Sequence, residues 1–544
     1  MFQPNKDAIQ LDILNNISSQ LQGKALDIYL DDNMWHNVFH DNVFVKIDED
    51  LFSCLFDHNQ GAPNYPVNIL LGMMVLKEGF GWSDSELFES IRFNILVKRS
   101  LGMPDFCGKV VSESCYYLFK QRIFEYELST GEDLLDKVFA KITGNQALQF
   151  EVNGKSVRMD SKLLGSNIAR ISRFQLVHGT LKKFYLSLCE GDKALLTPEL
   201  EDMLGGLCAQ DGEKIVYRSK NDELQNRLEQ LGGAMCQLVD IYKGAENKDY
   251  ELLAKVFEQQ FCVSGGHAQP RPKEELKASN IQSPEDTDAD YRKKGDQEIF
   301  GGYHANVTET CSDDGLNLIT SPEVKPATVH EKDFYQNGVE GSQGITGDKV
   351  EKAHTDGAYH SQENKGYNED NGIDMVLTGM QGKKGRYDFR FGDGALICTD
   401  NETGKEYIAE LTPKGKSYKI IDVDGKAHYF SKLHIDNNLF RQEMGERPQE
   451  ELNKRNNVEA TIFQLCYFTR NNKVRYRGIK KVQAWSYMRC LWINMVRIKN
   501  FMGELPKNAA KKAQNAIKTA ISEIFTNFEI LVTKTFFSIS TLTA

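Results

Sequence analysis

The chain has 544 residues, of which 40% are apolar, enough for roughly three or four domains with ample cores. Its formal net charge is −11, with 66 Lys and Arg against 77 Asp and Glu, which excludes a uniformly basic nucleic-acid-binding protein. No run approaches the ~18 apolar residues of a membrane span, so we expect no transmembrane helix.

Cysteine usage and the N-terminal residues predict a cytoplasmic location. The 11 cysteines are scattered singly, without a Cys-x-x-Cys pair, which favours reduced thiols over a disulfide framework or a zinc ribbon. The opening residues MFQPNKDAIQLDIL lack a basic start, an apolar core and a small-residue cleavage site, so no secretory signal is predicted.

The positive charge is concentrated in one region. Residues 451–520 hold 15 Lys and Arg against 3 Glu, a local balance of +12, which leaves −23 for the remaining chain. A local basic stripe sets the electrostatic footprint for DNA even in an acidic protein. Aromatic side chains are interleaved with these charges and favour DNA over a solvated helical face: Tyr467, Phe468, Tyr476 and Trp485.

Residues 1–149 are predicted to form an all-helical, DNA-binding domain. An apolar helix spans Asn68–Lys77, and Ser83 with Glu86 forms a capping box that opens the next helix. Two short helices around a glycine turn fit a helix-turn-helix or a plain corner of a helical bundle. In the first interpretation three basic side chains face phosphates: Arg92, Lys98 and Arg99.

The pattern changes near Gln149. Phe150–Asp160 is interpreted as a hairpin whose second strand ends at the acidic Asp160, followed by a polar helix over Asn167–Phe174. Leu176–Phe261 is predicted to be helical, and Gly265–Gln297 to be a polar linker.

An acidic run in that linker, Asp286-x-Asp288-x-Asp290, resembles the start of a calcium loop. Tyr291 stands where the loop needs glycine, and Gln297 where it needs glutamate, so we interpret the run as a solvated acidic turn.

Strand patterns resume after the linker. Gly302–Thr310 alternates apolar and polar residues, with Leu316–Val324 as its predicted partner. A short strand, Lys349–Thr355, ends at Asp356 before a glycine turn, and Asp374–Thr378 is a further strand. Residues 379–440 alternate between turns and predict a β-rich insertion.

The region 379–440 contains a Gly-Lys-Ser sequence at 415–417 that is not a phosphate-binding loop. Glu410 stands where the first glycine of such a loop must be, so we expect no ATP requirement.

Lys454–Asn500 holds two predicted helices joined by a basic connection, Arg470–Lys481. Val458, Ile462 and Leu465 form one apolar face of the first helix, and Arg455 and Glu459 make an i,i+4 pair on the opposite edge. The second helix is predicted to be buried through large side chains at helical spacing: Val482, Trp485, Met488, Trp492 and Met495.

Asp160 and Asp356 at strand ends and Glu459 on a helix suggest a metal site. Carboxylate oxygens suit Mg²⁺, and two such ions about 4 Å apart promote phosphodiester cleavage. Taken alone, the Arg455–Glu459 pair fits an ordinary surface ion pair as well.

Five segments together resemble a bacterial insertion-sequence DDE transposase with a helical, InsH-type N-terminal domain. They are Pro63–Leu70 with the Ser83–Glu86 helix, Arg158–Lys162, Tyr291–Asp296, Asp356–Tyr359, and the block from Asn457–Glu459 to Arg475–Gly478. The resemblance covers roughly residues 30–500, in the family's order.

The resemblance implies an α/β catalytic core of ribonuclease H-like type, a mixed sheet flanked by helices. The expected domains follow in chain order: 1–149, helical N-terminal domain; 150–180 with 297–378 and 441–500, catalytic domain; 181–296, helical insertion and linker; 379–440, β-rich insertion; 501–544, tail.

The resemblance also implies Asp160, Asp356 and Glu459 as catalytic, metal-binding residues for two Mg²⁺ or Mn²⁺ ions. A shared site requires the Asp160 and Asp356 carboxylates to lie within about 10 Å of each other. DNA contacts are expected from six basic side chains: Arg455, Lys473, Arg475, Arg477, Lys480 and Lys481. The expected partners are element ends and target DNA, with a homodimer or larger assembly on DNA, in the cytoplasm at the nucleoid.

Departures from the family pattern limit these expectations. Leu452 and Cys466 replace a tyrosine and a lysine that relatives often carry, so base stacking and a phosphate contact are in doubt or pass to Tyr467 and Lys473. Cys398 alone stands where some relatives carry a cysteine cluster, so no zinc is expected. Two alternatives remain: a nuclease that does not join DNA, and a silent repressor that binds element ends.

Overall fold

The computed structural model describes most of the chain, which divides into two compact units. The first comprises Met1–Asn153, Ser312–Leu318 and the residues from Leu491 onward, and the second comprises Gly154–Cys311 and Ile319–Cys490. The described residues are 1–5, 16–57, 61–103, 105, 110–294, 298–313, 315–379, 385–392 and 394–504. The predicted tail 501–544 lies almost entirely outside them.

The first unit is helical, as predicted. Two 3-10 turns, Phe44–Lys46 and Glu49–Leu55, accompany its helices. The helices are α1 (Ile17–Gln20), α2 (Lys24–Leu30), α3 (Trp35–Asn42), α4 (Val67–Phe80), α5 (Asp84–Phe93), α6 (Ile95–Ser100), α7 (Glu113–Thr130) and α8 (Leu134–Gln149).

The core of this unit is built on α4, which buries 13 of its 14 residues. A Cβ on Gly79 would lie 2.3 Å from the Trp492 ring, so the helix needs a glycine where the indole packs. The helix ends at Gly81, whose φ of 70° suits glycine. The predicted capping box between Ser83 and Glu86 is confirmed at the start of α5.

Burial contradicts part of the helix-turn-helix interpretation. Lys98 is fully buried, with its ammonium 3.4 Å from the carbonyl oxygen of Asp105, so its expected phosphate contact is wrong. Arg99 donates to the side chain of Asn37 at 2.8 Å, whereas Arg92 is exposed. The buried α4 and Lys98 fit the corner of a helical bundle better.

The second unit is mixed α/β. Its helices are α9 (Arg173–Ser187), α10 (Glu190–Lys193), α11 (Pro198–Ala209), α12 (Gly212–Arg218), α13 (Asn221–Ile241), α14 (Lys248–Gln260), α15 (Tyr335–Thr346), α16 (Gln362–Asn371), α17 (Lys432–Glu446), α18 (Gln449–Asn453) and α19 (Asn456–Leu465). Residues 479–504 form a last helix, α20, whose residues from 491 belong to the first unit.

The described strands of the second unit form three sheets. They are β1 (Ser156–Gly165), β2 (Phe261–Ser264), β3 (His267–Pro270), β4 (Asp290–Lys294), β5 (Glu298–Thr310), β6 (Ile319–Pro326), β7 (Lys352–Thr355), β8 (Asp374–Leu377), β9 (Tyr387–Gly392), β10 (Ala395–Asp400), β11 (Glu406–Leu411), β12 (Ser417–Ile421) and β13 (Ala427–Ser431).

The six-stranded sheet positions the candidate site. Its order is β4-β5-β1-β7-β8, with β6 also paired to β5. β5 pairs antiparallel with β1 on one side and with β6 on the other. β7 pairs in parallel with both β1 and β8. The carboxyl ends of β7 and β8 therefore point in the same direction as that of β1.

Helices cover both faces of this sheet at β1. Gly338 of α15 lies against Met159, while Thr461 of α19 hydrogen-bonds to Glu309, the residue paired with Arg158. Successive residues of a strand point to opposite faces, so α15 and α19 lie on opposite sides. Two predictions are confirmed: the strand pair 302–310 and 316–324, as β5 and β6, and the strand 374–378, as β8. Four of the six predicted strand ends lie within two residues of the observed ends.

A helical segment and a second sheet interrupt the six-stranded sheet. The prediction that Leu176–Phe261 is helical is confirmed by α9–α14, and all of these helices except α10 contribute to one apolar core. The β-rich prediction is also confirmed, since β9–β13 form an antiparallel sheet whose buried face packs against α17.

Three local predictions are wrong. Phe150 follows α8 as its cap, so there is no hairpin over 150–160, and β1 begins only at Ser156. The polar helix expected over 167–174 begins at Arg173 instead. The predicted linker 265–297 contains strands in its described part: β3 pairs with β2, and β4 pairs with β5 at the edge of the main sheet.

Among the residues that the structure describes, no helix has both the length and the apolar character that crossing a bilayer requires.

Candidate active site

Asp160 lies in the middle of β1, not at a strand end as predicted. Its neighbours on β5 and the helix α19 enclose it, so 14% of its side chain is exposed. Burial raises the pKa of the Asp160 carboxyl above its usual value, although the Arg455 guanidinium acts to lower it. The Asp160 carboxylate is therefore partly desolvated, and a neighbouring positive charge is needed to stabilise its ionised form.

Asp356 directly follows β7, as the sequence predicted. Its Oδ1 accepts a hydrogen bond from the backbone N–H of Ala358 at 2.9 Å, which forms the turn after the strand. Since β7 pairs in parallel with β1, the turn lies on the carboxyl side of the sheet beside Asp160. The side chain is 36% exposed.

Glu459 lies in the first turn of α19. The predicted apolar face of this helix is confirmed, since Val458, Ile462 and Leu465 are buried against the sheet. The predicted i,i+4 pair is also confirmed, because Arg455 Nη1 lies 2.8 Å from Glu459 Oε1. The Glu459 side chain is 57% exposed, so its carboxylate borders solvent.

Arg455 joins the three carboxylates. Its Nη2 lies 2.9 Å from Asp160 Oδ1 and 3.9 Å from Asp356 Oδ2, while Nη1 binds Glu459. Two distances that end on one nitrogen place the Asp160 and Asp356 oxygens no more than 6.8 Å apart. The structure thus brings together all three predicted carboxylates, from segments about 100 to 200 residues apart in sequence.

The charge of this cluster is not balanced by Arg455. Three carboxylates share one guanidinium, which leaves a formal charge of −2. Burial lowers the pKa of Arg455, but the neighbouring carboxylates, Asp160 above all, together more than offset this and the net pKa is raised. The guanidinium therefore stays protonated and still leaves room for further positive charge.

Sequence reasoning missed the buried polar groups behind Asp160. Ser161 Oγ lies 2.9 Å from His304 Nε2, and the hydroxyl of Tyr359 donates to Asn306 Oδ1 at 2.6 Å. Tyr359 is fully buried, and burial raises its pKa well above the usual value, so its hydroxyl stays protonated. These bonds fix the strand next to Asp160. The Asp-Gly-Ala-Tyr sequence was the one available signal for Tyr359.

The basic connection docks at the far end of β1. Lys473 and Gly165 form a β-bridge, and the Lys473 ammonium binds the carbonyl oxygen of Ile168 at 2.7 Å. Arg477 Nε donates to the carbonyl oxygen of Asn167 at 2.9 Å. Five of the six predicted DNA-contacting side chains lie in this connection. Lys480 is half-buried, and the other four are exposed: Lys473, Arg475, Arg477 and Lys481.

The prediction that the acidic run Asp286–Asp290 is a solvated turn is wrong. The run supports the basic connection instead. Asp286 is buried and accepts from the hydroxyls of Ser166 and Tyr303. The Tyr303 oxygen in turn accepts from Gly478 N–H at 2.9 Å, and Asp288 Oδ2 caps Ile479 N–H at 2.9 Å. The run was missed because its partners lie far away in sequence.

Of the two substituted family positions, Cys466 has clear surroundings. Cys466 is buried, and burial raises its pKa to about 11, so it offers no charge to a phosphate. Tyr467 is exposed beside it, as base stacking requires, whereas Trp485 is buried and cannot serve as the expected DNA-facing aromatic.

Comparison with known proteins supplies one match. Residues 30–122 match a family model described as a transposase domain (DUF772). This match supports a transposase. It covers the Pro63–Leu70 and Ser83–Glu86 segments of the first unit, where part of the resemblance lay. Neither the curated proteins nor the solved structures contain a match to this chain.

The carboxylates of this transposase candidate suit a divalent cation by their chemistry. In the described residues no three His, Cys, Asp or Glu side chains already form a metal cage, and the Arg455 guanidinium contacts the carboxylates of Asp160 and Asp356. The donor set fits Mg²⁺ or Mn²⁺ nevertheless, because all donors are hard carboxylate oxygens. One divalent cation would neutralise the formal charge of −2 that Arg455 leaves on the cluster.

Proposed function

We propose that this chain is a DDE transposase that cleaves DNA at the ends of an insertion sequence and joins the freed 3′-hydroxyl to target DNA. One observation carries the proposal: Asp160, Asp356 and Glu459, from a central strand, a strand end and a facing helix, converge on Arg455. The transposase match at residues 30–122 supports the same class independently.

The sheet supports a ribonuclease H-like catalytic domain in this proposal. A central strand, β1, pairs antiparallel with β5, which pairs in turn with β6, and on its other side β1 runs parallel to β7 and β8. Asp160 and Asp356 lie on the adjacent strands β1 and β7, and α19 packs across the sheet with Glu459. Such a core serves many reactions, so the carboxylates and not the fold carry the assignment.

In the proposed reaction Asp160, Asp356 and Glu459 would hold the divalent cations. Bound cations would activate the attacking oxygen and stabilise the leaving one. Arg455 keeps the carboxylates together against their mutual repulsion, and its planar guanidinium suits a DNA phosphate at the same place. Water attacks the element end first, and the 3′-hydroxyl then attacks the target strand.

The basic connection would contact the DNA at a distance from the bond that is cut. Five residues of β1 separate Asp160 from Gly165, which at about 3.3 Å per residue is about 16 Å. A duplex rises about 3.4 Å per base pair, so the connection would contact phosphates roughly five base pairs from the cut. Such contacts fix the register of the duplex and do not read its sequence.

A labelled duplex from the DNA that flanks the coding sequence tests this function. The purified protein is incubated with the duplex, Mg²⁺ and a target plasmid. Joined product is the expected result, since it requires both cleavage and strand transfer. A cut but unjoined duplex would indicate a nuclease, and a shifted but uncut duplex would indicate a DNA-binding repressor.

Single carboxylate variants provide the control for that assay. Asp160→Ala, Asp356→Ala and Glu459→Ala should each abolish cleavage and leave DNA binding nearly intact, because these ligands serve chemistry and not docking. Glu363→Ala, an exposed carboxylate in the first turn of α16, should cleave normally. Full cleavage by Asp356→Ala would remove that residue from the proposed site.

A further inference from the structure

A buried ion pair lies behind the carboxylate cluster. Arg158 Nε donates to Glu309 Oε1 at 2.5 Å, and the two residues are directly opposed in the β1–β5 register. Glu309 is completely buried and Arg158 nearly so. Two charges this far from water cost free energy unless they are well bonded, and a purely apolar pair would serve stability as well or better.

Both members of the pair reach the helix that carries Glu459. Thr461 Oγ1 of α19 donates to Glu309 Oε2 at 2.8 Å, and Arg158 Nη1 donates to the carbonyl oxygen of Lys454 at 3.3 Å. Lys454 immediately precedes Arg455, and Thr461 follows Glu459 by two residues. The pair thus holds α19 on either side of Arg455 and Glu459.

Strand geometry connects the pair to Asp160. Arg158 and Asp160 are two residues apart on β1, so their side chains share the face that α19 covers. One rigid strand therefore carries both the anchor of α19 and the carboxylate that α19 must meet. A shift of α19 along the sheet would move Glu459 and Arg455 away from Asp160 and Asp356 together.

From these contacts we infer that Arg158 and Glu309 are positioning residues for the reaction proposed above. They set the distance between α19 and β1, and the Thr461 hydroxyl joins α19 to the pair through its hydrogen bond to Glu309. The inference rests on the proposed function for its effect on cleavage, but its structural part, the anchoring of α19, stands without DNA or metal.

The main test replaces the pair with apolar residues. Arg158→Met/Glu309→Leu removes both charges of the pair at once, so neither is left buried without the other and the urea unfolding midpoint should not fall. Amide hydrogen exchange of residues 456–465 should become at least about tenfold faster, because the two anchors of α19 are gone. Mg²⁺-dependent cleavage should fall about a hundredfold, as for a small misplacement of catalytic groups, with DNA affinity unchanged.

Two further variants keep the test decisive. Thr461→Val removes one hydroxyl from α19 and should speed exchange of the same amides even if the double variant does not fold. Arg386→Met/Asp400→Leu is the matched control, since it removes a bidentate pair with a buried carboxylate from the five-stranded sheet. This control should leave exchange in α19 and cleavage as in the unaltered protein.

The outcomes separate this inference from the proposed function. Unchanged exchange in α19 for both the double variant and Thr461→Val would overturn the positioning role. Absence of cleavage by the unaltered protein would overturn the proposed function, while faster exchange in both variants would still support the anchor. Slower cleavage with unchanged exchange would also contradict the inference, because the loss would then come from another cause.

Discussion

Arg455 contributes one positive charge to a cluster of three carboxylates, and the largely buried Asp160 depends on it most. Arg455→Met keeps most of the side-chain volume and removes the charge. Without divalent metal we expect the free energy of unfolding to fall by about 3 kcal/mol, because the variant leaves carboxylates with no cation beside them.

Mg²⁺ should restore much of that stability, since it would bind the folded state through the same carboxylates. Urea unfolding with and without Mg²⁺ measures this effect. Arg447→Met is the matched control: the Arg447 side chain is 14% exposed, as is that of Arg455, and it binds Asp374 away from the cluster. Equal Mg²⁺ effects in the two variants would contradict the account.

His354 makes the protein sensitive to mild acid. It lies buried on β7, and burial, with Lys454 nearby, lowers its pKa to about 4. The unfolded chain takes up the proton near pH 6.5 and the folded chain only near pH 4, so stability falls as the pH falls between these values. This residue alone should remove about 2 kcal/mol between pH 8 and pH 5.

Comparison with His354→Leu isolates that contribution. Other buried histidines with lowered pKa, His36 and His304, are present in both proteins and cancel in the comparison. Chemical unfolding at pH 8 and pH 5 should show a smaller loss in the variant. An equal loss in both would mean that His354 is protonated in the folded state.

At the scale of elements, local patterns in the sequence predict α19, β7 and their acidic residues well. The apolar spacing of Val458, Ile462 and Leu465 is complete within three turns, and the glycine turn after Asp356 is adjacent to it in sequence. A strand end is predicted at Asp160 because the residues that follow, Ser161 and Lys162, are interpreted as leading into a polar helix. In fact β1 continues to Gly165, since β5 pairs with it over its length.

Long-range contacts explain the elements that could not be predicted. The acidic run resembles a solvated turn because nothing near Asp286 in sequence needs a carboxylate. Its partners are Ser166, 120 residues earlier, and Tyr303, 17 residues later. The Arg158–Glu309 pair spans 151 residues and leaves no periodic signal for the same reason.

The basic connection gives a prediction at this scale. Arg475→Ala/Arg477→Ala should weaken binding to all DNA sequences alike and lower the salt slope by about 0.9 for each phosphate that the variant no longer neutralises. Arg477 also binds the carbonyl oxygen of Asn167, so part of its effect passes through the position of the connection.

A plot of DNA affinity against salt concentration checks this. Lys414→Ala/Lys416→Ala, two exposed cations in a turn of the five-stranded sheet, serves as the control with the same change in net charge. A slope and affinity like those of the control would make the connection an ordinary solvated loop.

At the scale of the whole molecule, the two units provide separate arguments. The transposase match lies in the helical unit, at residues 30–122, and the carboxylate cluster lies in the α/β unit. Composition alone predicts a protein with several domains, but it does not show that β4 joins the main sheet or that α20 belongs partly to each unit. Those features depend on strand pairing and packing between distant segments.

Binding of Mn²⁺ tests the central claim most directly, which is that Asp160, Asp356 and Glu459 form one metal site. Electron paramagnetic resonance of free Mn²⁺ is recorded during titration into the unaltered protein, Asp160→Asn, Asp356→Asn and the control Asp374→Asn. We predict up to two bound ions for the unaltered protein and the control, with affinity lower by roughly tenfold or more in the other two variants. The same binding curve for all four proteins would contradict the shared site.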